Sequence, residues 1–249
     1  MFKNYFIGIK AYAGVFSLIG KLGLWKFFLV PILISLITAL SIGFLAWGLS
    51  DTMGTYISKI WVWEWGSATF KTISNVIAGI AIIAIGLILY KHIIMALSAP
   101  FMGPVSEKIE EHLTGKKGAQ ESSQFLNLLW RGIRVNLRNL LMELLFTIPI
   151  ILMGFIPIIG LISTPLLFLV QSYYAGFGNM DYTLERHLSY SKSNAFVRLH
   201  SGIAMGLGSV FMALLLIPVI GIILALPLSV TAASTATLEI ISPTEKNKN

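Results

Sequence analysis

Long uncharged runs separated by short polar stretches form the pattern of this chain. Residues 27–50, FFLVPILISLITALSIGFLAWGLS, hold no charged side chain over 24 positions. As a helix such a run is about 36 Å long, enough to cross a hydrocarbon core of about 30 Å. Pro31 falls in its first turns, where a missing N–H is tolerated. A second uncharged run begins at residue 72, and its helix reads on to Ala99, past Lys91 and His92. Between the two, residues 51–71 read as a polar loop with Trp61, Trp63 and Trp65. These tryptophans fit an aromatic belt at the membrane surface. Their strict alternation fits a short strand equally well.

Polar residues dominate 100–138, and two cytoplasmic amphipathic helices are predicted within 104–138. In the first, Val105, Ile109 and Leu113 make an apolar stripe, while Glu107, Glu110 and Glu111 share another face. Gly115 and Gly118 end it. In the second, Leu126, Leu129, Trp130, Ile133, Leu137 and Leu140 share a face, with Arg131, Arg134 and Arg138 along its edge. Two similar apolar blocks follow. Residues 141–175 are broken at Pro157-Ile158-Ile159-Gly160, and 202–238 at Pro218-Val219-Ile220-Gly221. This is a degenerate internal repeat, and repeated broken apolar segments are a transporter device. Residues 141–156 number 16, about 24 Å as a helix, so each block is either a re-entrant hairpin or a pair of tilted spans. Residues 1–26 carry Lys3, Lys10, Lys21 and Lys26 and no acid. Phe2, Phe6, Ile9, Ala13 and Phe16 recur at helical spacing, with no cleavage site after a short apolar core. The segment reads as a basic amphipathic helix on the inner membrane face.

Composition agrees with the pattern. Charged residues make up 12% and apolar types 56%, against about 25% charged in soluble domains. The mean hydropathy is +0.81. Together these exclude a disordered chain and point to an all-α integral membrane protein of one domain, residues 1–249. The net charge of +7 follows the positive-inside rule rather than marking a nucleic-acid partner. Lys and Arg number four in 1–26, six in 100–138, three in 181–200 and two in 243–249, against only Lys59 and Lys71 in 51–71. Both termini are therefore expected in the cytoplasm. There is no cysteine, so thiolate metal sites and disulfides are excluded. His92, His112, His187 and His200 form no zinc spacing, and no nucleotide loop or nucleophile motif occurs. No cofactor, metal or catalytic residue is expected.

Three features could handle an anion. At Gly23, Leu24, Trp25 and Lys26 a helix start would offer N–H groups beside a lysine charge; a snorkelling Trp-Lys pair is the plainer reading. The acidic stripe of Glu107, Glu110 and Glu111 would meet the basic stripe of Arg131, Arg134 and Arg138 if the two helices pair, or both would face solvent. Asp181, Glu185, Arg186 and His187 would join from the loop between the apolar blocks. Glu143 stands alone in an apolar run and is expected to snorkel toward the helix start.

These motifs together resemble the CysZ-type sulfate permeases of bacterial inner membranes. The likeness rests on Gly23 to Phe27 with Pro31; on Ala99-Pro100-Phe101, Gly103, Glu107, Glu110 and Leu113-Thr114-Gly115; on the paired hairpins; and on Asp181-Tyr182 with His187. It spans roughly residues 15–240, and the segment from Ala99 to Gly115 is its most specific part. The resemblance implies two long transmembrane helices, two half-penetrating hairpins, a homo-oligomer in the bilayer, and sulfate uptake for cysteine biosynthesis without ATP. It implies substrate binding at Gly23, Leu24, Trp25 and Lys26, and an ion pathway past Glu107, Glu110, Arg131, Arg134, Asp181 and His187. Where the family leads one to expect two consecutive arginines, this chain has Trp25-Lys26. An arginine fork binds an oxyanion at two points, whereas lysine is a point charge. The alternative is a non-transporting membrane scaffold or envelope protein, because fold alone does not set function.

Overall fold

The computed structural model describes residues 2–60, 66–115, 125–154, 156, 159–217 and 219–246. Every regular element among them is a helix: α1 (Phe2–Lys10), α2 (Val15–Lys21), α3 (Trp25–Ser58), α4 (Ser67–Thr114), α5 (Phe125–Gly154), α6 (Ile159–His187), α7 (Tyr190–Leu199), α8 (Ser201–Leu215) and α9 (Ile220–Lys246). Among the described residues, α3, α4, α5 and the Gly221–Ile241 part of α9 are long and apolar enough to cross a membrane. The α7–α8 pair, bent by 89°, is a fifth candidate. The chain is an all-α integral membrane protein.

Several boundaries differ from those expected. The polar loop predicted over 51–71 is shorter, because α3 runs on to Ser58 and α4 starts at Ser67. Its polar side chains are satisfied within the helices: Thr55 donates to the Asp51 carbonyl at 2.8 Å, and Asn75 Nδ2 of α4 donates to Asp51 Oδ1 at 2.8 Å. Trp61, Trp63 and Trp65, belt or strand, lie outside the described residues, as do Gly118, Pro157, Ile158 and Pro218.

The two amphipathic helices predicted over 104–138 are not separate elements. The first continues α4 through Pro100 and Pro104. Met102, Val105 and Ile109 are fully buried there, so packing holds the helix across the prolines. The second is the first half of α5, which continues as the first arm of the 141–175 block. Its apolar face also points outward, with Leu126, Trp130 and Leu137 exposed. The basic N-terminal segment is likewise two helices, broken where Gly14 takes a left-handed φ of 79°. The first does more than lie on a membrane face: its Gly8 is buried against α8 while Phe2 and Phe6 stay exposed.

The core is built by close approach of α1, α4, α5, α6, α8 and α9. Small residues allow it, as is usual where lipid supplies no hydrophobic drive between helices. A Cβ on Gly208 of α8 would strike the Ser172 carbonyl of α6, and one on Gly206 would strike the Tyr5 carbonyl of α1. Hydroxyls then tie the layers: Tyr5 to Ser209 at 2.9 Å, Tyr12 to Ser229 at 2.6 Å, and Ser106 to Thr183 at 2.7 Å. Gly208→Val should therefore lower the thermal midpoint of the detergent-solubilised protein, with a cost of about 1–3 kcal/mol or more from overpacking. Gly43→Ala, where a Cβ meets nothing within 4 Å, should leave it unchanged or raise it; equal effects would contradict this packing.

Candidate functional site

The buried face of α5 is mostly polar, with Gly132, Val135 and Ile150 its other buried residues. Asn136, Asn139, Glu143 and Thr147 follow one another at spacings of three and four and are all buried. The opposite face carries Leu137, Leu141, Leu145, Phe146 and Leu152, all exposed. This is the reverse of a soluble amphipathic helix. It is what a bilayer favours, since apolar chains go to lipid and polar ones must find partners inside.

At the inner end of this stripe Glu143 meets two residues of α4. Lys91 Nζ donates to Glu143 Oε1 at 2.7 Å, and His92 Nε2 lies 3.1 Å from Oε2. Lys91 and Glu143 are each 1% exposed. Glu143 therefore does not snorkel: it is paired within the protein. Sequence reasoning also missed Lys91 and His92 as functional candidates, although a lysine, a histidine and one glutamate inside apolar runs were the available signal. Breaking such a buried pair from one side costs about 3–5 kcal/mol, because the remaining charge is stranded.

The other end of the stripe is a charged cluster organised by the last turns of α6. The predicted loop over Asp181 to His187 is helical, and its side chains, rather than those of the opposite stripe, pair with Arg131 and Glu110. α6 packs against both α4 and α5, which also touch each other, and pairs with each. Arg131 of α5 grips Asp181 at two points, Nε–Oδ2 3.0 Å and the second nitrogen to Oδ1 at 2.9 Å, and also donates to the Leu188 carbonyl and Ser193. Glu110 of α4 accepts from Arg186 at 2.8 Å and lies 3.3 Å from His187 Nε2. Glu107 is half-buried beside this cluster but outside its ion pairs, and Glu111 is exposed. Arg134 leaves the cluster and stacks over Tyr190 at 4.3 Å, while Arg138 lies 5.5 Å over Phe177.

The predicted substrate-binding residues sit apart from both clusters, at the turn between α2 and α3. Gly23 is left-handed (φ 60°) and Leu24 N–H reaches back to the Ile19 carbonyl at 3.0 Å, a glycine-closed helix end. Leu24 is fully buried and Trp25 starts α3, edge-on to Phe16 and Phe28. Lys26 is exposed, its ammonium 5.3 Å from the Phe27 ring centre. Lys108 of α4 approaches the same ring at 5.7 Å. Two cations thus share the Phe27 ring near the helix start, the second of them invisible to sequence spacing.

The family described as sulfate transporter CysZ/etoposide-induced protein 2.4 matches residues 11–225. The chain belongs to this family. Among its relatives is a Pseudomonas aeruginosa protein named sulfate transporter CysZ, 26% identical over 222 residues, which cover 88% of this chain and 89% of that one. A Pectobacterium atrosepticum protein of the same name is 24% identical over 238 residues, covering 91% and 82%. Family and spans together make this a multi-pass membrane protein.

Glu185 of α6 lies outside the helices suited to crossing a membrane. Burial pushes its carboxyl up to about 8; Asp181 adds to the rise, and Arg131 and Arg186 oppose it. The folded state thus holds a proton that the unfolded chain gives up near the ordinary value of 4.5. Stability should fall as pH rises from about 4.5 to about 8. Unfolding midpoints across that range should slope downward in the native chain and flatten in Glu185→Gln; an equal slope in both would contradict the assignment.

Proposed function

We propose that this protein is a sulfate permease of the bacterial inner membrane, feeding sulfur assimilation without ATP. The observation that carries the reading is the polar, buried face of α5, joining the Arg131–Asp181 cluster to the Lys91–Glu143 pair. An anion leaving water needs donors and cations in place of its hydration shell, and binding weak enough for release. Sulfate as substrate comes from the printed names of the relatives.

In this reading sulfate first meets Lys26, near Gly23, Leu24 and Trp25, with Lys108 supplying the second charge that an arginine pair would otherwise give. It then passes Glu107, Glu110, Arg131, Arg134, Asp181 and His187, where matched charges lower the cost of entry. Both termini face the cytoplasm and copies of the chain assemble in the bilayer. The hairpins enter it partway in this reading; α8, at 15 residues or about 22 Å, is short of the hydrocarbon core, while α5 and α9 are long enough to cross it.

Labelled sulfate entry into proteoliposomes tests this. Uptake should be saturable and absent from protein-free vesicles. Lys26→Ala should lower it roughly two- to fivefold without moving the unfolding midpoint. No uptake in vesicles holding folded protein would overturn the permease reading in favour of a membrane scaffold.

A further inference from the structure

The Lys91–His92–Glu143 cluster is an unusual way to fill a membrane interior. Three groups of apolar shape would pack there at lower cost than a desolvated ion pair. Its hydrogen bonding is also incomplete. A lysine ammonium has three donors, yet among the described residues Lys91 has one oxygen acceptor, Glu143, and a thioether contact to Met212 at 3.9 Å. His92 Nδ1 and Asn136 Oδ1 are buried without a hydrogen bond of good geometry, although the two side chains lie within reach of each other. What the cluster does provide is two nitrogens from consecutive residues, each facing one oxygen of the same carboxylate. That is the geometry in which an oxyanion is held.

We propose that Lys91 and His92 form an oxyanion-binding station inside the membrane, and that Glu143 occupies it as a tethered competitor. The proposal rests on the permease reading and adds a second site to it, far along α4 from Lys108. An incoming sulfate takes the two donors when the Glu143 side chain withdraws from them. Asn136, one helical turn beyond Asn139 on the same stripe of α5, has its side-chain oxygen close against Gly178. From the station toward Arg131 the buried face of α5 runs through Asn139, Asn136 and Gly132, with Val135 its one apolar side chain. The competitor keeps the station from holding any anion tightly, as conduction requires.

The test removes the competitor. Glu143→Gln and the double variant Lys91→Met/Glu143→Gln are made in a Lys26→Ala background, so that the outer lysine does not contribute. Thermal unfolding of each purified protein is followed against sodium sulfate, with sodium chloride at equal ionic strength as reference. Sulfate should raise the midpoint of the Glu143→Gln protein saturably, with half-saturation at least about tenfold below that of the parent. The double variant should not respond. If Glu143→Gln unfolds in chloride, recovery of folded protein in sulfate supports the station, and failure in both salts overturns it. A response equal in the two variants, or none in Glu143→Gln beyond chloride, also overturns it. Sulfate uptake by native-chain vesicles separates the two readings. Uptake with no sulfate effect on Glu143→Gln removes the station and leaves the permease; the effect without uptake removes the permease and leaves the site.

Discussion

A lysine and a glutamate placed where water does not reach have few ways to be accommodated. Each alone would cost several kcal/mol to desolvate, and lipid offers neither a counter-charge nor a hydrogen bond. Lys91 and Glu143 are therefore bound to each other, and the helices that carry them are bound too. The pairing sets the relative rotation of α4 and α5, and that rotation decides which face of α5 looks inward. Once Glu143 faces α4, Asn136, Asn139 and Thr147 face the interior with it, and the leucines between them face out. The same division recurs elsewhere. α1 buries Gly8 and sends the Tyr5 hydroxyl to Ser209, yet leaves Phe2 exposed.

Close packing and charge then work together at the α6 end. Glycines at 176, 206 and 208 bring α6, α8 and α1 into backbone contact, which fixes α6 firmly enough to present Asp181 to α5 and Arg186 to α4. Each ion pair links α6 to a different neighbour, so the cluster joins three helices rather than two. In the proposed permease a passing anion would have to exchange with such pairs, each already holding a counter-charge. A route of isolated arginines would bind an anion and keep it.

Much of this was legible before the structure. The uncharged run at 27–50 has no plausible place but a membrane, and the segment from Ala99 to Gly115 carried the family. Near the breaks read at Gly160 and Gly221, α5 ends at Gly154 and α8 at Leu215. What stayed hidden depended on tertiary partners. Glu143 looked unpaired because Lys91 and His92 lie 52 and 51 positions away. The acidic and basic stripes looked made for one another because nothing in their spacing shows that Asp181 and Arg186 of α6 pair with them instead. The amphipathic face of 126–140 was seen correctly as a face, but a periodic pattern does not say whether its apolar side meets protein or lipid. Lys108 joined Lys26 only through the fold.

The central claim is that the polar face of α5 lines the path of an anion. The chain has no cysteine, so single cysteines can be placed along α5 and treated in vesicles with a water-soluble, negatively charged thiol reagent. Cysteines at Asn136, Asn139 and Thr147 should react and be protected by sulfate, while those at Leu137, Leu141 and Leu145 stay unmodified. Silence at the inward positions, or protection that sulfate provides no better than chloride, would contradict the account.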